Sequence, residues 1–189
     1  MKEMSTKKKF EEVSIECILK ISYDIWDRSM EEYKKTMNEC NNITYKDAMK
    51  YRYYHSKLTG DIALKLYRKY IINKDNRDER ILYLSALTHD IKKIDKKHSQ
   101  AGADWIRNNI GDFFEISDDD IEKVALLVRY HKSSVKKIEH IQDKNILDLI
   151  LILQIADSLS KFREKSVYKE IDHDKLKKKL IEVIESFNK

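Results

Sequence analysis

The chain has no proline and only three glycines (Gly60, Gly102 and Gly111) in 189 residues. Folds made of many short strands need frequent tight turns, and those turns draw on both residue types. Their scarcity weighs against an all-β fold. Cysteine is equally sparse: Cys17 and Cys40 are the only two, and they form no Cys-x-x-Cys pair. A disulfide scaffold is therefore excluded, and a reduced, cytoplasmic protein is the simplest reading. No apolar run approaches the ~20 residues of a membrane span. The charged opening MKEMSTKKKF is not followed by an apolar stretch of signal-peptide type.

A dominant sign of charge is also lacking. The formal charge is +5 and the pI about 8.9, with both signs interleaved along the chain. Such a balance is compatible with a phosphate-bearing ligand and does not call for nucleic acid. What the chain does have is helix chemistry. Hydrophobic residues reach 41% and charged residues 38%, with Leu, Ile, Lys and Glu at helical spacing. The expected class is all-α, in two parts: a helical N-terminal extension over 1–44 and a main domain over 45–189 that includes a C-terminal helix.

Ile18, Ile21 and Ile25 recur at helical spacing and predict a first helix running through Met30, Tyr33 and Met37. Their stripe is open to packing within the chain or across a dimer. The Asn cluster over 38–44 reads as a loop, and a second helix is expected from about 45 to 70. A third helix is expected over about 78–91, then a polar segment KKIDKK, then a fourth from His98 to about Asn109. Ser117, three residues before Asp120, looks like the N-cap of the helix containing VALLVRYH. The stretch 146–162 is apolar almost all round and belongs in the middle of the protein. A last helix is expected over about 172–188.

Several polar residues stand in apolar company. Asp157 lies inside the central helix, between Ala156 and Ser158, and a bare carboxylate there must be paired or protonated. His55 shares a stripe with Leu58 and Ile62. His89 and Asp90 follow the apolar run around Leu82, Leu84 and Leu87. His98 opens a helix and His131 closes one. Taken singly, each has an ordinary explanation: a satisfied core histidine, a buried ion pair, or a favourable charge at a helix end. Jointly, the six fall on or at the ends of five helices, and one metal centre accounts for all of them. Neutral imidazole and carboxylate are ligands that Zn, Mn or Fe accept at neutral pH. His140 and His173 lie in polar surroundings and read as surface residues.

The order of these residues resembles the HD-domain superfamily of metal-dependent phosphohydrolases. RYYH (52–55), followed by ALKLYRKY, is similar to its first motif, and THDIKKID (88–95) to its His-Asp-x-x-Lys motif. HSQAGADWI (98–106) and RYHK (129–132) resemble segments of members that hold two metals, and IADSLSKFRE (155–164) resembles the closing Ala-Asp motif. The resemblance implies an HD-domain helical bundle with an additional N-terminal helix. It implies that His55, His89, Asp90 and Asp157 hold one divalent ion, with Asp90 bridging to a second held by His98 and His131. Asp90 and Lys93 would be catalytic, and Lys93 would contact substrate phosphate. Arg52, Lys132 and Arg163 lie near the ligands in sequence and could join that clamp, although a solvated charge is the commoner role for any one of them. The implied chemistry is hydrolysis of a phosphoester or phosphoanhydride, of a nucleotide for choice, by a metal-bound hydroxide. Fe, Mn, Zn, Co and Mg all remain open.

The resemblance is nearest to bacterial HD-type hydrolases of symmetrical dinucleoside tetraphosphates. Two features depart from it: the short step from Asp90 to His98, and Lys92, where many superfamily members have Gly. The same His/Asp order is similar to that of di-iron oxygenases of the inositol-oxygenase type. A non-catalytic nucleotide- or protein-binding module is the third reading.

Overall fold

A computed structural model describes residues 7–36 and 42–165, with side chains described over 7–33, 52–134 and 136–161. Helix α1 (Ile15–Thr36) turns Ile18, Ile25, Trp26 and Tyr33 into the chain's own core. Met37, Cys40 and the rest of 37–41 lie outside the described residues, as does the helix expected over 172–188 with His173. Helix α2 (Asn42–Tyr70) begins ahead of the expected 45. It stops before Ile72, which is 93% exposed.

Helix α3 (Asn76–Thr88) corrects the expected 78–91 at both ends. It starts earlier because the Asp75 side chain accepts from the Arg77 backbone N–H at 2.8 Å, a side-chain N-cap. It stops earlier because the chain tightens after Thr88. Ile91 N–H donates to Thr88 O, Lys93 N–H to Asp90 O and Asp95 N–H to Lys92 O, a run of i→i+3 turns. Ile91 is fully buried, so it prolongs the apolar period past the true helix end.

Helix α4 (His98–Asn109) and helix α5 (Asp118–Tyr130) follow, the second capped as expected by Ser117, which accepts from Asp120 N–H at 3.2 Å. Gly102 lets them approach: a Cβ there would stand 3.1 Å from Val128 Cγ1. A short α6 (Val135–Ile138) leads to α7 (Lys144–Lys165), which packs on α2, α3 and α5 and buries residues all round from Leu149 to Asp157.

The architecture is all-α, with one two-residue parallel pair among the described residues, β1 (Lys8–Lys9) with β2 (Phe114–Glu115). That pair was not legible in the sequence. It brings Phe10, 1% exposed, edge-on to Phe114 with ring centroids 5.4 Å apart. No helix among the described residues is long and apolar enough to cross a membrane.

Candidate metal centre

The six predicted ligands come together from α2, α7, the end of α3, the start of α4 and the end of α5. His55, His89 and Asp90 are fully buried, His131 and Asp157 nearly so, while the His98 side chain is 20% exposed. Three groups of three bring their ligand atoms within 4.8 Å of one another: His55–His89–Asp90, His89–His131–Asp157 and Asp90–His98–His131.

The histidines that cap the C-terminal ends of α3 and α5 are held the same way. His89 Nδ1 donates to Ala86 O at 2.7 Å and His131 Nδ1 donates to Val128 O at 2.6 Å. A carbonyl only accepts, so each Nδ1 carries a proton, and both Nε2 atoms face the cluster, with a lone pair there whenever the ring is neutral. There they find no hydrogen bond among the described residues, and neither does Asp90 Oδ2. Each such orphan costs about 1–3 kcal/mol. Two further orphaned side-chain atoms among the described residues, Ser56 Oγ and Arg80 Nε, belong to no His–Asp group.

The spacings suit a cation. Donors about 2.0–2.2 Å from one ion, at right or tetrahedral angles, stand about 2.8–3.6 Å apart. His55 Nε2 is 2.9 Å and His89 Nε2 3.4 Å from Asp157 Oδ1, and His131 Nε2 is 3.5 Å from Asp90 Oδ1. The Asp90 carboxylate faces both ways: Oδ2 lies 3.8 Å from His89 Nε2, and Oδ1 lies 3.7 Å from His98 Nε2. The residues present therefore fit a divalent metal.

Electrostatics agree. Burial works to raise the Asp90 carboxyl, but His89, His131, Lys93 and Lys132 outweigh it and hold it far below the ordinary carboxylate range. Burial likewise opposes ionisation of Asp157, and His55, His89 and Lys161 overcome it. For His89, burial disfavours a proton, yet the two carboxylates raise its proton affinity. The same negative field draws in a metal cation. Burial lowers His131, and burial with Lys93 and Lys132 pushes His98 down to about 4, which leaves it neutral at physiological pH.

Cations rim the cluster. Lys93 Nζ donates to Asp90 Oδ1 at 2.8 Å. The turn after α3 delivers it there, with Lys93 N–H donating to Asp90 O. Arg52 Nη1 lies 3.5 Å from Asp90 Oδ2, and Lys132 Nζ lies 3.8 Å from Asp90 Oδ1 and donates to His98 Nε2 at 3.2 Å. The Arg163 side chain lies outside the described residues. Sequence reasoning missed Lys161, whose ammonium pairs with Asp157 Oδ2. Its one signal was the i,i+4 spacing from Asp157. Burial and the nearby Lys161 and Lys93 charges push Lys132 down to about 8 against the pull of Asp90.

Helix α1 braces the turn that carries Asp90. Trp26 Nε1 donates to Leu87 O at 2.8 Å, and Ser29 Oγ donates to Ile91 O. Glu32 accepts from Lys92 Nζ at 2.9 Å and from Trp105 Nε1 at 2.7 Å, tying α1, the turn and α4 together. Lys92 also lies over the Tyr33 ring, 4.4 Å from its centroid. Lys92, a departure from the superfamily pattern, is thus a bracing residue here.

An all-α bundle that gathers histidines and aspartates into a buried, cation-rimmed cluster defines a class of metal-binding helical protein. The chain belongs to the HD domain family, whose sequence profile matches residues 52–161, over half of the chain. This family consists in general of metal-dependent hydrolases, and its members bind divalent metals. A search of curated proteins and a search of solved structures each gave no match.

Proposed function

We propose that this protein hydrolyses a phosphoester or phosphoanhydride bond of a small phosphorylated metabolite, with nucleotides, symmetrical dinucleoside tetraphosphates among them, as the first class to test. The observation that carries the proposal is the gathering of Lys93, Lys132 and Arg52 about Asp90 and of Lys161 about Asp157, so that among the described residues four cationic side chains stand against the two carboxylates of the cluster. An excess of positive charge beside a metal centre suits an oligoanion. An uncharged polyol, the substrate class of the oxygenase reading, has no use for it.

In this reading His55, His89, Asp90 and Asp157 hold one ion, while Asp90, His98 and His131 hold a second. Bound ions supply Lewis acidity, lowering the pKa of water toward about 7 and drawing charge from phosphoryl oxygens. The chain's own residues do the rest. Asp90 splits its oxygens between the two histidine sets. Lys93, protonated and unable to coordinate metal, offers N–H donors to the anion. Lys132 and Lys161, each 34% exposed, meet the arriving phosphate at the rim. Asp157 is oriented through Oδ2 by Lys161, which leaves Oδ1 facing His55 and His89.

The test is a screen of mononucleotides, dinucleoside polyphosphates, sugar phosphates and short single-stranded nucleic acids with protein loaded in turn with Mn²⁺, Fe²⁺, Co²⁺, Zn²⁺ and Mg²⁺. Hydrolysis of at least one class, read as nucleoside diphosphates, nucleotides or inorganic phosphate according to the bond cut and abolished by chelator, is the expected result. Oxygen uptake by iron-loaded protein on a polyol, without hydrolysis of any phosphorylated substrate, would replace this reading with the oxygenase one.

A further inference from the structure

We infer that Ser160, backed by Thr59, is a positioning residue that lets His55 present Nε2 to a metal ion; this rests on the reading of the cluster as a metal centre. His55 differs from its two buried neighbours. His89 and His131 anchor Nδ1 on main-chain carbonyls, which admit one tautomer only. His55 Nδ1 instead lies 3.3 Å from Ser160 Oγ, a hydroxyl that can give or take a proton.

The hydrogen bonds around Ser160 close in either of two arrangements. In the first, His55 carries its proton on Nε2 and donates it to Asp157 Oδ1, 2.9 Å away. Ser160 then donates to Nδ1, and Thr59 donates to Ser160 Oγ at 2.9 Å. Both ligand atoms, Nε2 and Oδ1, are tied up in each other. In the second, the ring's proton sits on Nδ1 and is donated to Ser160 Oγ. Ser160 turns its own proton to Asp157 O at 2.8 Å, and Thr59 turns to His55 O at 2.9 Å. No donor is lost between the two arrangements, the ring keeps one proton in each, and in the second the Nε2 lone pair is available to an ion. His55, Thr59 and Ser160 are all fully buried, so water is a poor substitute for either hydroxyl. Outer partners of this kind orient metal-binding histidines and raise affinity. Since the carbonyls under His89 and His131 are main chain, Ser160 is the anchor that a side-chain substitution can remove.

The experiment uses the full chain with Zn²⁺ alone. Ser160→Ala is expected to weaken Zn²⁺ binding, measured by chelator competition, by about 10–100-fold, with the metal-free protein still folded and its thermal midpoint lowered by only the few degrees that one orphaned His55 Nδ1 costs. Ser160→Thr, which restores the hydroxyl, is expected to recover most of that affinity. Long-range ¹H–¹⁵N spectra of the wild type should place the His55 proton on Nδ1 once Zn²⁺ is bound. Wild-type affinity in Ser160→Ala, or a Zn²⁺-loaded wild type with His55 protonated on Nε2, overturns the inference. A wild type that takes up neither Zn²⁺ nor Mn²⁺ overturns the metal-centre reading instead.

Discussion

The two ends of α3 both gather charged and titratable side chains and treat them in opposite ways. At its N-terminus most charges are answered by one another, with Arg80 Nε the one buried atom there that lacks a hydrogen bond among the described residues. Asp75 caps the helix, Arg68 meets Glu79 through two bonds of 2.6 and 3.0 Å, and Arg77 reaches Asp120 at 2.7 Å and Asp119 at 2.8 Å. Asn145 donates to a buried neighbour of that network, Asp78 Oδ2, at 2.8 Å. At its C-terminus the chain buries two histidines and an aspartate and leaves His89 Nε2, Asp90 Oδ2 and, across on α5, His131 Nε2 without hydrogen bonds among the described residues. Structural ion pairs are closed on themselves. A cluster that stays open while fully buried is set up for something else to complete it.

Substitutions at the two ends should therefore separate sharply. The largest effect belongs to Asp90→Ala, which should abolish bound metal and turnover together while circular dichroism stays helical. Wild-type metal content in that variant, by elemental analysis, would break the contrast outright. His131→Ala comes next. It should keep a single ion and lose most turnover, and metal titration with parallel rate measurements will show whether the two sets of histidines are separable. Lys93→Ala should leave metal content alone and cut kcat/KM by about 10²–10³-fold, the scale for a lost electrostatic donor. Inorganic phosphate should also inhibit it less than wild type. At the opposite end, Arg77→Met should lower stability by about 1 kcal/mol, since Arg77 is 41% exposed and its pairs are partly screened. For a chain of this size that is a thermal midpoint lower by about 2–4 °C, with metal binding unchanged. The smallest effect is expected for Arg107→Ala, whose partners are half-exposed; a cost under about 1 kcal/mol is usual for such pairs.

The site was more legible than its scaffolding. Each of His55, His89, Asp90, His131 and Asp157 is a titratable side chain inside an apolar pattern, and burial of such a group always demands a reason. Lys161 carries no such signal, because a lysine near the end of a helix is ordinary until its i−4 neighbour is known to be buried. Thr59 and Ser160 are similarly silent, since small hydroxyls suit helix interiors and surfaces alike. The end of α3 was misread because Ile91 is apolar in the right phase, whereas the true boundary is set by three successive backbone turns that have no side-chain signature. The β1–β2 pair was missed because two residues on each side are too few to show an alternation.

The bond between His55 and Asp157 spans 102 positions of the chain. On a ribosome adding about 5–20 residues per second, roughly 5–20 s separate the synthesis of those two residues. Throughout that interval the nascent chain holds the histidines of α2, α4 and the ends of α3 and α5, and Asp90, without Asp157. The full set of donors can gather only after α7 is made, so an ion bound by all of them would seal a bundle already built around α2 to α5 rather than serve as an early template for it.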